Sequence, residues 1–285
     1  MHLQMEAQLL YHKVNHTGKR NVRRCEKEGV EAHLKNLWSL IHEEDVTEEI
    51  DLGTLEIPLD KIVGVADGMA DREEELLYDA KFFPLAEGNS DFAEQWCDMY
   101  LAYLGDRESR TPITCYEYLG KFYVKDGKKR VSILKSHGAH VVRAEVIRVR
   151  TKAEGEDAPR YEEFLRDFAK TGLYQLEFTR PDSLKKLQEA LGWEEDYVWN
   201  DVNRYGFLFH WYLFENAFHE AFRGEMPITT ADALLVMLEE FSYQQIKAME
   251  PWILAGLIRD RWEKFYQICY PEFARALERR MKRVS

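Results

Sequence analysis

Five consecutive residues, Asp126-Gly-Lys-Lys-Arg130, join a flexible turn to three cations, a combination suited to holding a phosphate. Gly127 admits a positive φ or a close backbone approach that a side chain would block. Lys128, Lys129 and Arg130 then fall in what reads as the first turn of a helix, beside N–H groups that have no intrahelical partner. Cations at that end oppose the helix dipole, and a bound anion would resolve the conflict. In this reading Arg130 is a bidentate oxygen ligand, Lys128 and Lys129 are point charges, and Ser132 is a hydroxyl donor. Asp126 either caps the helix or helps to hold a metal ion on a nucleotide, and Glu117 is the other carboxylate in range to act as a base. The plainer reading is a capped turn whose basic residues face solvent.

The elements that must position these groups are legible on either side. Phe122 to Val124 reads as a strand, and Leu119-Gly120 joins it to an earlier strand, Pro112 to Tyr118, as a short hairpin connection. The helix from Lys128 should stop at Gly138. A further strand, Val141 to Val149, places Val142, Ala144 and Val146 on one face. Upstream, Leu55 to Val65 reads as a strand that Pro58 confines to a sheet margin or a strand start. Residues 3–41 read as helix broken near Thr17-Gly18 and Gly29, with an apolar stripe at Leu34, Leu37, Trp38 and Ile41. The acidic run Glu43 to Asp51 reads as a solvated linker. Phe92, Trp96, Met99, Tyr100 and Tyr103 form a second amphipathic face. A small mixed sheet with helices packed on it is the expected product.

Beyond the charged stretch Thr151 to Arg160 every strong signal is helical. Phe207, Trp211, Phe214, Phe218 and Phe222 repeat every three or four positions, as the buried helix of a helical domain should. Pro227-Ile-Thr-Thr-Ala-Asp232 supplies a stop and a new cap, Leu234 to Phe241 continue that helix, and Pro251 to Tyr270 add another.

Composition removes several classes of function. With 45% hydrophobic and 13% aromatic residues the chain of 285 is one of folded domains. It has no apolar run long enough to span a bilayer and no signal-peptide pattern, so a cytoplasmic protein without membrane partners is expected. Cys25, Cys97, Cys115 and Cys269 show no metal-ligand spacing and are expected to be idle thiols. His219-Glu220 lacks the second histidine of a zinc-protease helix, because position 223 is Arg; no metal site is expected there. Phosphate-loop, dinucleotide and nucleophile-elbow signatures are absent. A net charge of −12 opposes wholesale binding to nucleic acid, but residues 1–30 and 273–285 are basic and could contact phosphates.

The run Val124-Lys-Asp-Gly-Lys-Lys-Arg-Val-Ser-Ile-Leu-Lys-Ser-His-Gly138, with Ala144-Glu-Val146 after it and Ile57-Pro-Leu-Asp-Lys-Ile-Val-Gly64 before it, resembles the ParB/sulfiredoxin superfamily. The resemblance covers about a third of the chain and implies an α+β domain over residues 53–150, preceded by a helical arm and acidic linker (1–52) and followed by a helical domain (151–285). It implies a nucleotide or other phosphorylated small molecule at the 126–130 turn, with Mg²⁺ as companion if the ligand is ATP or CTP, and phosphoryl transfer or nucleotide hydrolysis as the reaction. It also implies that the loop after Gly64 borders the ligand, which makes Gly64 a binding residue and brings Arg72 within reach of an anion. The alternative partners are DNA, for a regulator without catalysis, or another protein; a homodimer fits either.

The departures are informative. Lys128 stands where sulfiredoxins need Cys, where partition ParB proteins carry the Glu of G-E-R-R, and where members that phosphorylate free serine carry His. Lys129 replaces the first Arg of the partition turn, and no E-N-x-x-R segment follows. Ala169-Lys-Thr-Gly-Leu173, Glu177-Phe-Thr179 and Thr229 to Leu234 resemble the helical tail of a bacterial ParB-like group.

Overall fold

The computed structural model describes residues 2–66, 75–105, 111–152, 158–222 and 228–270. Arg72, Pro227 and the basic run 273–285 lie outside them. The chain divides into two compact units, Met1–Ala158 and Pro159–Ser285. Among the described residues it is a mixed α/β protein with one six-stranded mixed sheet and eleven α-helices, none long and apolar enough to cross a membrane.

The first unit opens with α1 (His2–Glu28), unbroken through Gly18. A side chain at Gly18 would come within 3.1 Å of Phe83, so the glycine marks close packing and not a helix end. The helix stops instead at Gly29, whose φ of 69° suits a residue without Cβ. There follow β1 (Lys35–Asn36), the single turn α2 (Leu37–Leu40), and β2 (Val46–Pro58). The acidic run is therefore not a linker: most of it is strand, paired with β6 (Val141–Thr151) along nearly its whole length. Pro58 ends β2, a short 3-10 turn follows at Leu59–Lys61, and β3 (Ile62–Val65) begins; the expected single strand is thus two. The separate helical arm expected over 1–52 is part of this unit, because α1 packs on α3 (Asp91–Leu104) and both β1 and β2 belong to the sheet.

β4 (Ile113–Tyr118) and β5 (Lys121–Asp126) form the expected hairpin, with φ of 50° at Leu119 and 76° at Gly120 in its two-residue turn. The sheet order is β1-β3-β5-β4-β6-β2, so the hairpin lies at the centre and β2 is outermost. α4 (Lys128–Ser136) returns from the end of β5. Among the described residues, apolar clusters pack on this framework. Tyr11 and Val14 of α1 meet Trp96, Cys97 and Tyr100 of α3 and Ile133 of α4, while Leu37, Ile41, Tyr116, Tyr123 and Val149 form another.

The second unit is helical among its described residues. Its seven helices are α5 (Ala158–Thr171), which begins at the boundary, α6 (Ser183–Leu191), α7 (Asp201–Phe222), α8 (Thr230–Leu238), α9 (Tyr243–Ala248), α10 (Pro251–Asp260) and α11 (Trp262–Cys269). Phe207, Trp211, Phe214 and Phe218 of α7 are buried at the spacing expected, against Leu234, Ala255, Ile258 and Phe265. Thr229 caps α8 by accepting from the Asp232 N–H.

Candidate functional site

Alternation along β5 and the return of α4 bring the turn to one end of the central hairpin. Gly127 has φ of 102°, a left-handed conformation, and a Cβ there would sit 2.5 Å from Ile113 Cγ2. Glycine is required on both counts. No side chain caps the first turn of α4, since the N-cap residue is Gly127 itself. Asp126, exposed, does not cap the helix; its carboxylate lies 3.4 Å from Arg130 Nη2. A cleft of about 280 Å³ opens here. Lys125, Lys128 and Lys129 line it on the basic side, and Tyr78, Phe92 and Met99 form the apolar wall. The Lys129 ammonium sits 5.3 Å from the centre of the Phe92 ring and donates to Gln95 Oε1 at 2.6 Å.

Three of the expected site residues, Ser132, Glu117 and Gly64, lie outside this lining, and Arg130, which belongs to it, is engaged by the backbone. Arg130 lines the cleft, but its Nη1 donates to the backbone carbonyls of Thr111 (2.5 Å) and Pro112 (3.0 Å), which leaves Nη2, beside Asp126, as the edge toward the cleft. A guanidinium so engaged fixes the strand entry beside the turn, which makes Arg130 a positioning residue. Ser132 is fully buried and accepts a hydrogen bond from Trp96 Nε1 at 3.0 Å, so its hydroxyl serves the contact between α3 and α4 and is no ligand donor. Glu117 is also fully buried; it is ion-paired with Arg148, its direct partner across β4 and β6, and accepts from the Gly120 N–H at 2.7 Å. Thr114, not Glu117, pairs with Asp126. Three residues of strand, about 10 Å, therefore separate the two carboxylates proposed to act together. Gly64 lines no part of this cleft: a Cβ there would lie 2.1 Å from the Lys35 carbonyl oxygen, so the glycine lets β1 dock on β3.

The lining that sequence reasoning missed is Lys125, Leu77, Tyr78, Phe92 and Met99. Lys125 adjoins the motif and could have been included; the other four arrive from distant segments with no local signal. The buried thiols of Cys97 and Cys115 are poor nucleophiles, as burial pushes Cys115 up to about 12 and Cys97 up to about 11. Neither a protein-family model nor a curated protein sequence matches this chain.

Proposed function

We propose that the 126–130 turn binds a phosphate-bearing small molecule, a nucleotide before others, and that the first unit is a divergent ParB/sulfiredoxin-like domain. The observation that carries this reading is the glycine-opened, uncapped start of α4 facing a cleft with three lysines on one side and aromatic rings on the other. Phosphate oxygens would meet the first-turn amides and Lys128, and a base would lie against Phe92 and Tyr78. Asp126, the carboxylate at the cleft, suits Mg²⁺ held jointly with nucleotide phosphates, the usual way that ion is bound. With Glu117 committed to Arg148, binding is the function and a reaction is not part of the proposal.

Calorimetry with ATP, CTP, GTP, UTP and inorganic phosphate in the presence of Mg²⁺ tests it. At least one nucleotide should bind, and Lys128→Gln with Lys129→Gln should weaken it about a hundredfold or more, each lost charge-assisted contact being worth about 1.5–3 kcal/mol. No binding across the panel, or binding indifferent to the double substitution, refutes the reading.

One observation favours DNA association as a second reading. Lys13, Arg20, Arg24 and Lys27 recur at seven, four and three residues along α1, with Arg23 beside them, and all five are exposed. Used together on DNA the five should give a slope of log K against log salt of about −4.5, reduced in size by about 2 in Arg20→Gln with Arg24→Gln. Absence of binding at low salt removes it.

A further inference from the structure

A larger cleft, about 810 Å³ in volume, lies in the first unit and shares no lining residue with the one at the turn. Its volume falls within the range usual for small-molecule sites. Four cations converge on it from separate elements: Lys35 of β1, Lys81, Lys121 of β5 and Lys135 of α4. Two carboxylates, Glu31 and Asp60, also line it, so the cations outnumber the acids. Glu31 is turned to its own backbone, accepting from the N–H groups of Ala32 (3.0 Å) and His33 (3.2 Å). Lys35 and Lys81 make no ion pair among the described residues. In a chain of net charge −12, an unbalanced group of lysines around a concave surface is a local exception to the composition.

The apolar part of the lining includes Phe83, Ile62, Leu40 and the Tyr123 ring. Lys135 sits where the two characters meet. Its ammonium donates to the Ile62 carbonyl at 2.8 Å and lies 5.1 Å from the centre of the Phe82 ring. An ammonium has three N–H donors, and no second hydrogen-bond acceptor meets it among the described residues. We propose that this cleft binds a small organic anion with a flat apolar body, its charged group held among Lys135, Lys35 and Lys81 and its body against Phe83 and Tyr123.

Burial pushes Lys135 down to about 8, opposed by Asp60 from the 3-10 turn and by Asp79 and assisted by Lys81 from the segment before α3. Below that value it is charged and attracts an anion; above it the charge is lost, and Tyr123, pushed up to about 12, remains neutral there. Affinity should therefore fall about tenfold between about pH 7 and pH 9, the ratio of the protonated fractions at those two values.

Fluorescence titration of the full chain with 8-anilinonaphthalene-1-sulfonate, beside its uncharged analogue N-phenyl-1-naphthylamine, tests the assignment. The sulfonate should bind more tightly than the neutral dye, and Lys135→Met should weaken it about tenfold and flatten its pH dependence. Lys35→Gln with Lys81→Gln, both at the mouth and tolerant of change, should weaken the sulfonate while leaving the neutral dye unaffected. Sulfonate binding equal in wild type and both variants overturns the proposal, as does a pH dependence that persists in Lys135→Met. Nucleotide binding at the turn should be unchanged in these variants, which separates failure here from failure there.

Discussion

Glu117→Gln should cost the first unit about 3–5 kcal/mol of stability, because it leaves the Arg148 guanidinium buried without its counter-charge. Glu117 is wholly inaccessible and the Arg148 side chain is 11% exposed, so water cannot take over the lost interaction. Gln keeps a carbonyl oxygen for the Gly120 N–H but turns an NH2 group toward the Arg148 Nε–H, so the counter-charge and the acceptor are lost together. Arg148→Met alone should be as damaging for the converse reason. In the Glu117→Gln background it should cost far less, since neither charge is then stranded. Denaturant titration of the four proteins measures the coupling. Unchanged stability in Glu117→Gln, with a change confined to ligand turnover, would return this carboxylate to the catalytic role that its place beside the turn suggests in sequence.

Gly64→Val is expected to detach β1 and to lower stability by about 3 kcal/mol, the upper end for an overpacked interior. Even the first added carbon would lie 2.1 Å from the Lys35 carbonyl oxygen and 3.0 Å from Tyr123 Cδ1. The obstacle is backbone, which cannot rotate aside as a side chain end can. Only two residues pair β1 with β3, Lys35 with Gly64 and Asn36 with Val65, so a side chain at Gly64 disturbs half of that pairing. Loss of amide protection at residues 35 and 36 in hydrogen exchange, with β4 and β5 still protected, is the specific signature. Protection equal to wild type would show that β1 can dock without the close approach.

What could be read in the sequence was local. Leu119-Gly120 announces its hairpin because the turn conformation is decided by the residues in it. The amphipathic faces of α3 and α7 announce themselves because burial recurs within one helix. The misread parts depend on partners far along the chain. Glu117 looks like a functional polar group until Arg148 is placed beside it. Gly18 and Gly64 look like a helix break and a ligand contact, and each instead admits a neighbouring segment. Ser132 gave no sign of Trp96, thirty-six residues away in the chain. The cation cluster around Lys135 was invisible for the same reason: its four lysines are scattered over a hundred residues.

The outermost strand carries a consequence for solubility. β2 is 13 residues long and, among the described residues, pairs with a strand on one flank only, so the backbone groups of its other flank could template a strand from a second molecule. Glu48, Glu49, Asp51 and Glu56 are exposed along it, and a bulge between Asp51 and Thr54, with Gly53 at φ of 68°, breaks the regular register. Two approaching copies would set these carboxylates against each other. The charges that imitate a linker in the sequence thus act as a guard against intermolecular sheet growth, and acidification that neutralises them would remove it.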